Sequence, residues 1–143
     1  FIYRLFYCLT GLLNKMGRIS TSVEIQNSFD PEKRIRCDAL VDTGTSHLII
    51  PTAWRQRLGN LKEIGTIELE IATQQVVQGI VCGPVQVQIE GFRPIFTEVL
   101  FVEMEPVDRK YEPLIGYIVL EQSQAAVDVV GHRLIHVKRL DLK

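Results

Sequence analysis

Ala39-Leu40-Val41-Asp42-Thr43-Gly44-Thr45-Ser46-His47-Leu48-Ile49-Ile50 is the stretch on which the fold turns. Two apolar runs flank Asp42-Thr43-Gly44-Thr45, and short apolar runs bounded by turn residues read as buried strands. Between them a carboxylate leaves a strand at a tight turn. Gly44 allows backbone angles that a side chain would hinder. Thr43 and Thr45 bring short hydroxyls able to bond the backbone or a carboxylate oxygen. At ordinary residue usage Asp-Thr-Gly arises by chance in about 3% of chains this long, and an Asp-initiated turn between strands is common. The tripeptide therefore takes its meaning from its surroundings.

The chain has 143 residues, 46% hydrophobic and 23% charged, which suits one globular domain with a substantial core. A net charge of −1 argues against nucleic acid or an acidic membrane surface as the main partner. Cys8, Cys37 and Cys82 are odd in number and widely spaced, without a metal-binding pair. Reduced thiols in a cytoplasmic protein are the plainest expectation. Residues 1–15 differ from the rest: an apolar run interrupted by Arg4, too short for a membrane span and without a signal-peptide cleavage site. Met16-Gly17-Arg18 opens as a start would, so 1–15 is expected to be over-called sequence or part of a truncated anchor and 16–143 the domain, with no membrane partner unless 1–15 is a real anchor.

Period-two alternation places strands at Ser20–Gln26, Ile35–Val41, Ile64–Ala72, Val76–Cys82, Val85–Ile89 and Ile95–Val102. Asn27 to Pro31 reads as a turn, followed by a solvated Glu32-Lys33-Arg34 run; Gly83-Pro84 reads as a further turn. Pro51 to Gly59 is a short helix started by proline and stopped by glycine. Ala72-Thr73-Gln74-Gln75 is a polar hairpin tip, and Glu103 to Glu112 a loop. Pro113-Leu114-Ile115-Gly116 follows, with a helix expected over Tyr117–Gln124 and a hairpin turned at Gly131-His132. His132 and His136 share a strand face but stand too far apart to chelate a metal alone, and His47 reads as a loop histidine.

Apolar strand, Asp42-Thr43-Gly44-Thr45, apolar strand, and about seventy residues later Leu114-Ile115-Gly116 before a helix, together resemble the retropepsins. These are the single-domain, homodimeric aspartic proteases. The resemblance covers about residues 16–143 and implies an all-β, closed-barrel-like fold with one or two short helices. It implies Asp42 as the catalytic carboxylate and Thr43 as the residue joining the two loops across a dimer. Thr45 would bond the outer oxygen of the catalytic Asp, with Gly44 shaping the turn. Leu114, Ile115 and Gly116 would lie beside the loop, and Ala72, Thr73 and Gln74 in a flap over the substrate, although the usual flap glycines are missing.

A second Asp-Thr-Gly or Asp-Ser-Gly is absent, so a complete site requires a second copy, which two-fold symmetry supplies. Two carboxylates about 3 Å apart at an effective dielectric of ~20 repel by about 5 kcal/mol, enough to keep one protonated. Aspartic protease dyads are the reference case for this behaviour. The implied activity is peptide-bond hydrolysis by activated water on a peptide or protein substrate, with no cofactor and no metal. Two rivals stand beside it: a catalytically silent module of the same fold, and an unrelated β-barrel with an incidental Asp-Thr-Gly turn.

Overall fold

The computed structural model describes residues 18–70 and 74–138. The N-terminal segment 1–15, the start at Met16, the flap residues Ala72 and Thr73, and the tail beyond Lys138 lie outside the described residues. No described helix is long and apolar enough to cross a membrane.

Nine strands carry the described fold: β1 (Ser20–Asn27), β2 (Asp30–Val41), β3 (Leu48–Pro51), β4 (Lys62–Glu70), β5 (Val76–Ile89), β6 (Ile95–Val102), β7 (Leu114–Ile115), β8 (Ala125–Asp128) and β9 (Arg133–His136). A 3-10 helix, Thr52–Leu58, follows β3, and helix α1, Tyr117–Gln122, follows β7. The main sheet runs β1-β2-β7-β3-β6-β5-β4, and β1 pairs with β5 as well. Six strands thus form a ring, and β4 extends from it as a flange on β5. Ring closure removes most of the free edges that an open sheet would present.

Alternation decides what the ring encloses. Val23 and Ile25 of β1, Val85, Val87 and Ile89 of β5, and Val99 and Phe101 of β6 point into one core with Ile35 of β2. A smaller cluster on the other side gathers Leu40, Ile49, Leu69, Leu100, Val102 and Leu114. Leu48, Ile49 and Ile50 are all fully buried, which is why β3 is a continuous apolar run and does not alternate.

The turn expected over Asn27 to Pro31 narrows to Ser28-Phe29, because β1 runs through Asn27 and β2 begins at Asp30; the Glu32-Lys33-Arg34 run is exposed as expected and lies inside β2. Here the β1–β2 hairpin carries the exposed charges on its strand, where Arg34 meets Glu24 at 3.8 Å. Gly83-Pro84, the other expected turn, does not end a strand: β5 continues through it, with its register against β6 shifted between Cys82 and Val85. Proline lacks the N–H that a regular ladder needs, so the strand bulges there and resumes. Helix α1 is two residues shorter than expected, ending before Ser123.

Asn27, expected only as a turn former, proves to be a buried tie. Its Nδ2 donates to the Leu58 carbonyl at 2.7 Å and the Asn60 carbonyl at 2.9 Å, and its Oδ1 accepts the Phe29 N–H at 2.9 Å. One side chain thereby joins the β1–β2 hairpin to the end of the 3-10 helix. Gly59, at φ 68°, turns the chain away at that point.

Gly116 is the tightest backbone approach near β7. A Cβ there would fall 2.5 Å from the His47 carbonyl oxygen and 2.6 Å from that of Ser46. These are main-chain atoms, so no rotamer change can make room.

Two stability outcomes follow from these contacts, both measured as shifts of the urea midpoint. Asn27→Ala strands buried carbonyls and is expected to cost about 2–3 kcal/mol. Gly116→Ala forces the Ser46–His47 backbone aside and is expected to cost about 2–3 kcal/mol, the upper end for overpacking.

Candidate active site

Three consecutive amides at the end of β2 are anchored alternately to its two sides. Leu40 N–H donates to Pro113 O at 2.8 Å and Asp42 N–H to Ile115 O at 2.9 Å, while Val41 N–H donates to Ile19 O at 2.8 Å. The parallel β2–β7 pairing, Leu40 beside Leu114 and Val41 beside Ile115, sets this geometry. Antiparallel contact of Leu114 with Ile49 then brings β7 between the two strands that flank the loop. Leu114, Ile115 and Gly116 thus lie against the Asp-Thr-Gly loop, as the resemblance implies.

Asp42 itself is 1% exposed. Its Oδ1 accepts the Gly44 N–H at 2.9 Å, an Asx turn, and its carbonyl accepts the Thr45 N–H at 3.3 Å. Thr43 and Gly44 are exposed, so the tip of the loop faces outward while its carboxylate does not.

Thr45 behaves differently from the implied role. Its hydroxyl is buried and makes no hydrogen bond to Asp42 or to any other described group. The backbone of Thr45 is engaged at both ends instead, its N–H with Asp42 and its carbonyl with the Tyr117 N–H at 2.8 Å. Ile118 N–H donates in turn to Ser46 O at 3.1 Å. The first turn of α1 therefore caps the far side of the loop, and Gly116 permits the approach.

At the hairpin between β4 and β5, the last described pair is Glu70 with Val76. Gln74 adopts φ 65°, the left-handed conformation, without being glycine. Ala72 and Thr73, expected with Gln74 in a flap, are outside the described residues.

Ser46, His47 and Glu98 form a connection that sequence reasoning missed. His47 Nδ1 lies 2.8 Å from Ser46 Oγ, and its Nε2 lies 3.0 Å from Glu98 Oε1. Its side chain is only 13% exposed. Glu98 is 51 residues away in the chain, and no local pattern announces such a pair. His136 stacks on Phe92 with ring centroids 4.3 Å apart.

Other reactive groups are quieter. Burial pushes the Cys37 thiol up to about 12, with Asp38 adding to the effect, so it is no candidate nucleophile near neutral pH. Burial also raises Cys82. Among the described residues no three His, Cys, Asp or Glu side chains are grouped to hold a metal ion.

No family model and no curated protein matches the sequence. Solved structures do. The EIAV protease complexed with the inhibitor HBY-793 is similar with a TM-score of 0.50 and 23% identity, over 76% of this chain and 90% of that one. The retroviral protease-like domain of Ddi1 from Leishmania major gives a TM-score of 0.51 and 16% identity, over 85% of this chain and 90% of that one. At these identities the likeness is one of fold. Ring-like sheet, loop and following helix agree with it: this chain has the retropepsin-like aspartic protease fold.

Proposed function

We propose that the protein is an aspartic endopeptidase whose active site is assembled from two copies of Asp42, one from each subunit of a homodimer. The observation that carries this reading is the loop itself: a buried carboxylate one residue from an exposed Thr43-Gly44 tip, in a sequence with a single Asp-Thr-Gly. A tip facing outward can meet its own copy across a two-fold axis.

Chemistry follows from the pairing. One carboxylate takes a proton from water as the oxygen attacks the peptide carbonyl, and the protonated partner donates to the carbonyl oxygen. The tetrahedral intermediate collapses when a proton reaches the leaving nitrogen and the C–N bond breaks. An extended peptide would bind by main-chain bonding at the β4–β5 hairpin, in the manner of strand addition, as the likeness of fold suggests. A cytoplasmic location is the proposal that goes with the free thiols of Cys37 and Cys82.

A catalytically silent peptide-binding module is the alternative, and the absence of the usual glycines from the Ala72-Thr73-Gln74-Gln75 stretch favours it.

Ser28, Thr45 and Ser123 each bury a hydroxyl oxygen without a described partner, and of these Thr45 alone belongs to the Asp-Thr-Gly loop. If Thr45 is held ready for a dyad, Thr45→Val removes an unsatisfied group at nearly constant shape. It should stabilise the isolated chain by about 1–2 kcal/mol in urea titrations while lowering kcat. Stabilisation with unchanged kcat would take Thr45 out of the site. Asp42→Asn keeps the shape of the side chain and should abolish digestion of a peptide library at every pH from 3 to 7, with folding and dimerisation retained. Residual cleavage by the purified variant would refute the assignment.

A further inference from the structure

Two irregularities of the main sheet flank one cavity. Ile64 sits at the register shift between Glu63 and Gly65, where β4 meets β5, and Pro84 at the shift between Cys82 and Val85, where β5 meets β6. Bulges re-aim side chains that a regular pleat would send elsewhere. Here both residues line a cavity of about 400 Å³, with Phe96 of β6 and Ile118 of α1. His47 and Glu98 form its polar end. Phe96 is 65% exposed and Ile64 55%, so folding leaves two large apolar side chains of this wall in water. The proposed hydrolysis uses neither.

Three properties define what would fill it. A volume of this size, with apolar walls and a few polar groups, suits a small ligand or a single large side chain. Among the lining residues Glu98 alone is Asp, Glu, Lys or Arg, and its side chain remains 42% exposed beside His47, so the polar end attracts a cation. Finally, among the described residues β4 pairs with β5 alone, so within them the strand that carries Ile64 has an outer edge open to main-chain pairing. A free strand edge beside a pocket favours an extended chain over a compact small molecule.

We propose that this cavity is a docking site for an extended peptide segment that presents a large apolar side chain next to a lysine or arginine. The apolar side chain enters between Ile64, Pro84, Phe96 and Ile118. The cation meets Glu98. The peptide backbone runs along β4. The inference rests on the protease reading only in taking this segment as a part of the substrate outside the cleft; binding does not require Asp42 chemistry.

The test uses the full chain carrying Asp42→Asn, so that hydrolysis cannot intervene, and follows amide shifts by NMR. Two probes are compared, acetyl-Gly-Phe-Lys-Gly-amide and acetyl-Gly-Phe-Glu-Gly-amide. The lysine peptide should shift the amides of Ile64, Phe96, Glu98 and Ile118, and bind about fivefold more tightly than the glutamate peptide at low ionic strength. Phe96→Ser should remove saturable binding, and Glu98→Gln should erase the preference between probes while retaining binding. Shifts confined to the neighbourhood of Asp42 and Gln74, or a preference unchanged in Glu98→Gln, would overturn the proposal. A wild-type protein that digests peptides while its Asp42→Asn form shows none of these shifts keeps the protease reading and loses the docking site. One that shows the shifts and never digests keeps the docking site and loses the protease.

Discussion

Everything near Asp42 depends on the two-residue parallel pairing of β2 with β7. Through it the amides of Leu40 and Asp42 reach the carbonyls of Pro113 and Ile115 at 2.8 and 2.9 Å, so the carboxylate leaves β2 at a fixed height. The same short strand ends at Gly116, where the absence of a side chain lets α1 close on the loop. Tyr117 and Ile118 then donate to the carbonyls of Thr45 and Ser46. The loop is therefore held by main-chain groups on both sides, and its position is insensitive to which hydroxyl or imidazole stands nearby. The proposed homodimeric site, in which the loop would meet its own copy in one geometry, would gain from this kind of anchoring.

Local pattern made much of this legible. Asp42-Thr43-Gly44 marks a turn between two buried strands, and its apolar flanks give that common turn its meaning. Leu114-Ile115-Gly116 gained weight from its distance and the helix after it. Alternation in β1 and β5 pointed to the correct core faces, as Ile25 and Val87 show.

What stayed hidden depended on partners distant in sequence. Gly83-Pro84 carries the signature of a turn, yet pairing on both sides of β5 keeps the strand going through a bulge. Asn27 looked like any turn asparagine, and its worth comes from the Leu58 and Asn60 carbonyls that the fold places beside it. The link from His47 to Glu98 could not be read because neither residue type implies the other. Thr45 is the instructive case: the resemblance assigned its hydroxyl a carboxylate partner, whereas in the single chain that hydroxyl is buried without a hydrogen bond.

That last feature bears on the central question, whether one chain holds a finished site. A single Asp-Thr-Gly, an exposed tip and an idle buried hydroxyl all fit a half-site completed by a second copy. Initial rate against enzyme concentration, taken through the dimer dissociation range established by sedimentation, tests this most directly. A site shared between two subunits predicts that specific activity falls in proportion to concentration once the protein is largely monomeric. Specific activity that stays constant through the same range would place a complete site within one chain and contradict the shared dyad.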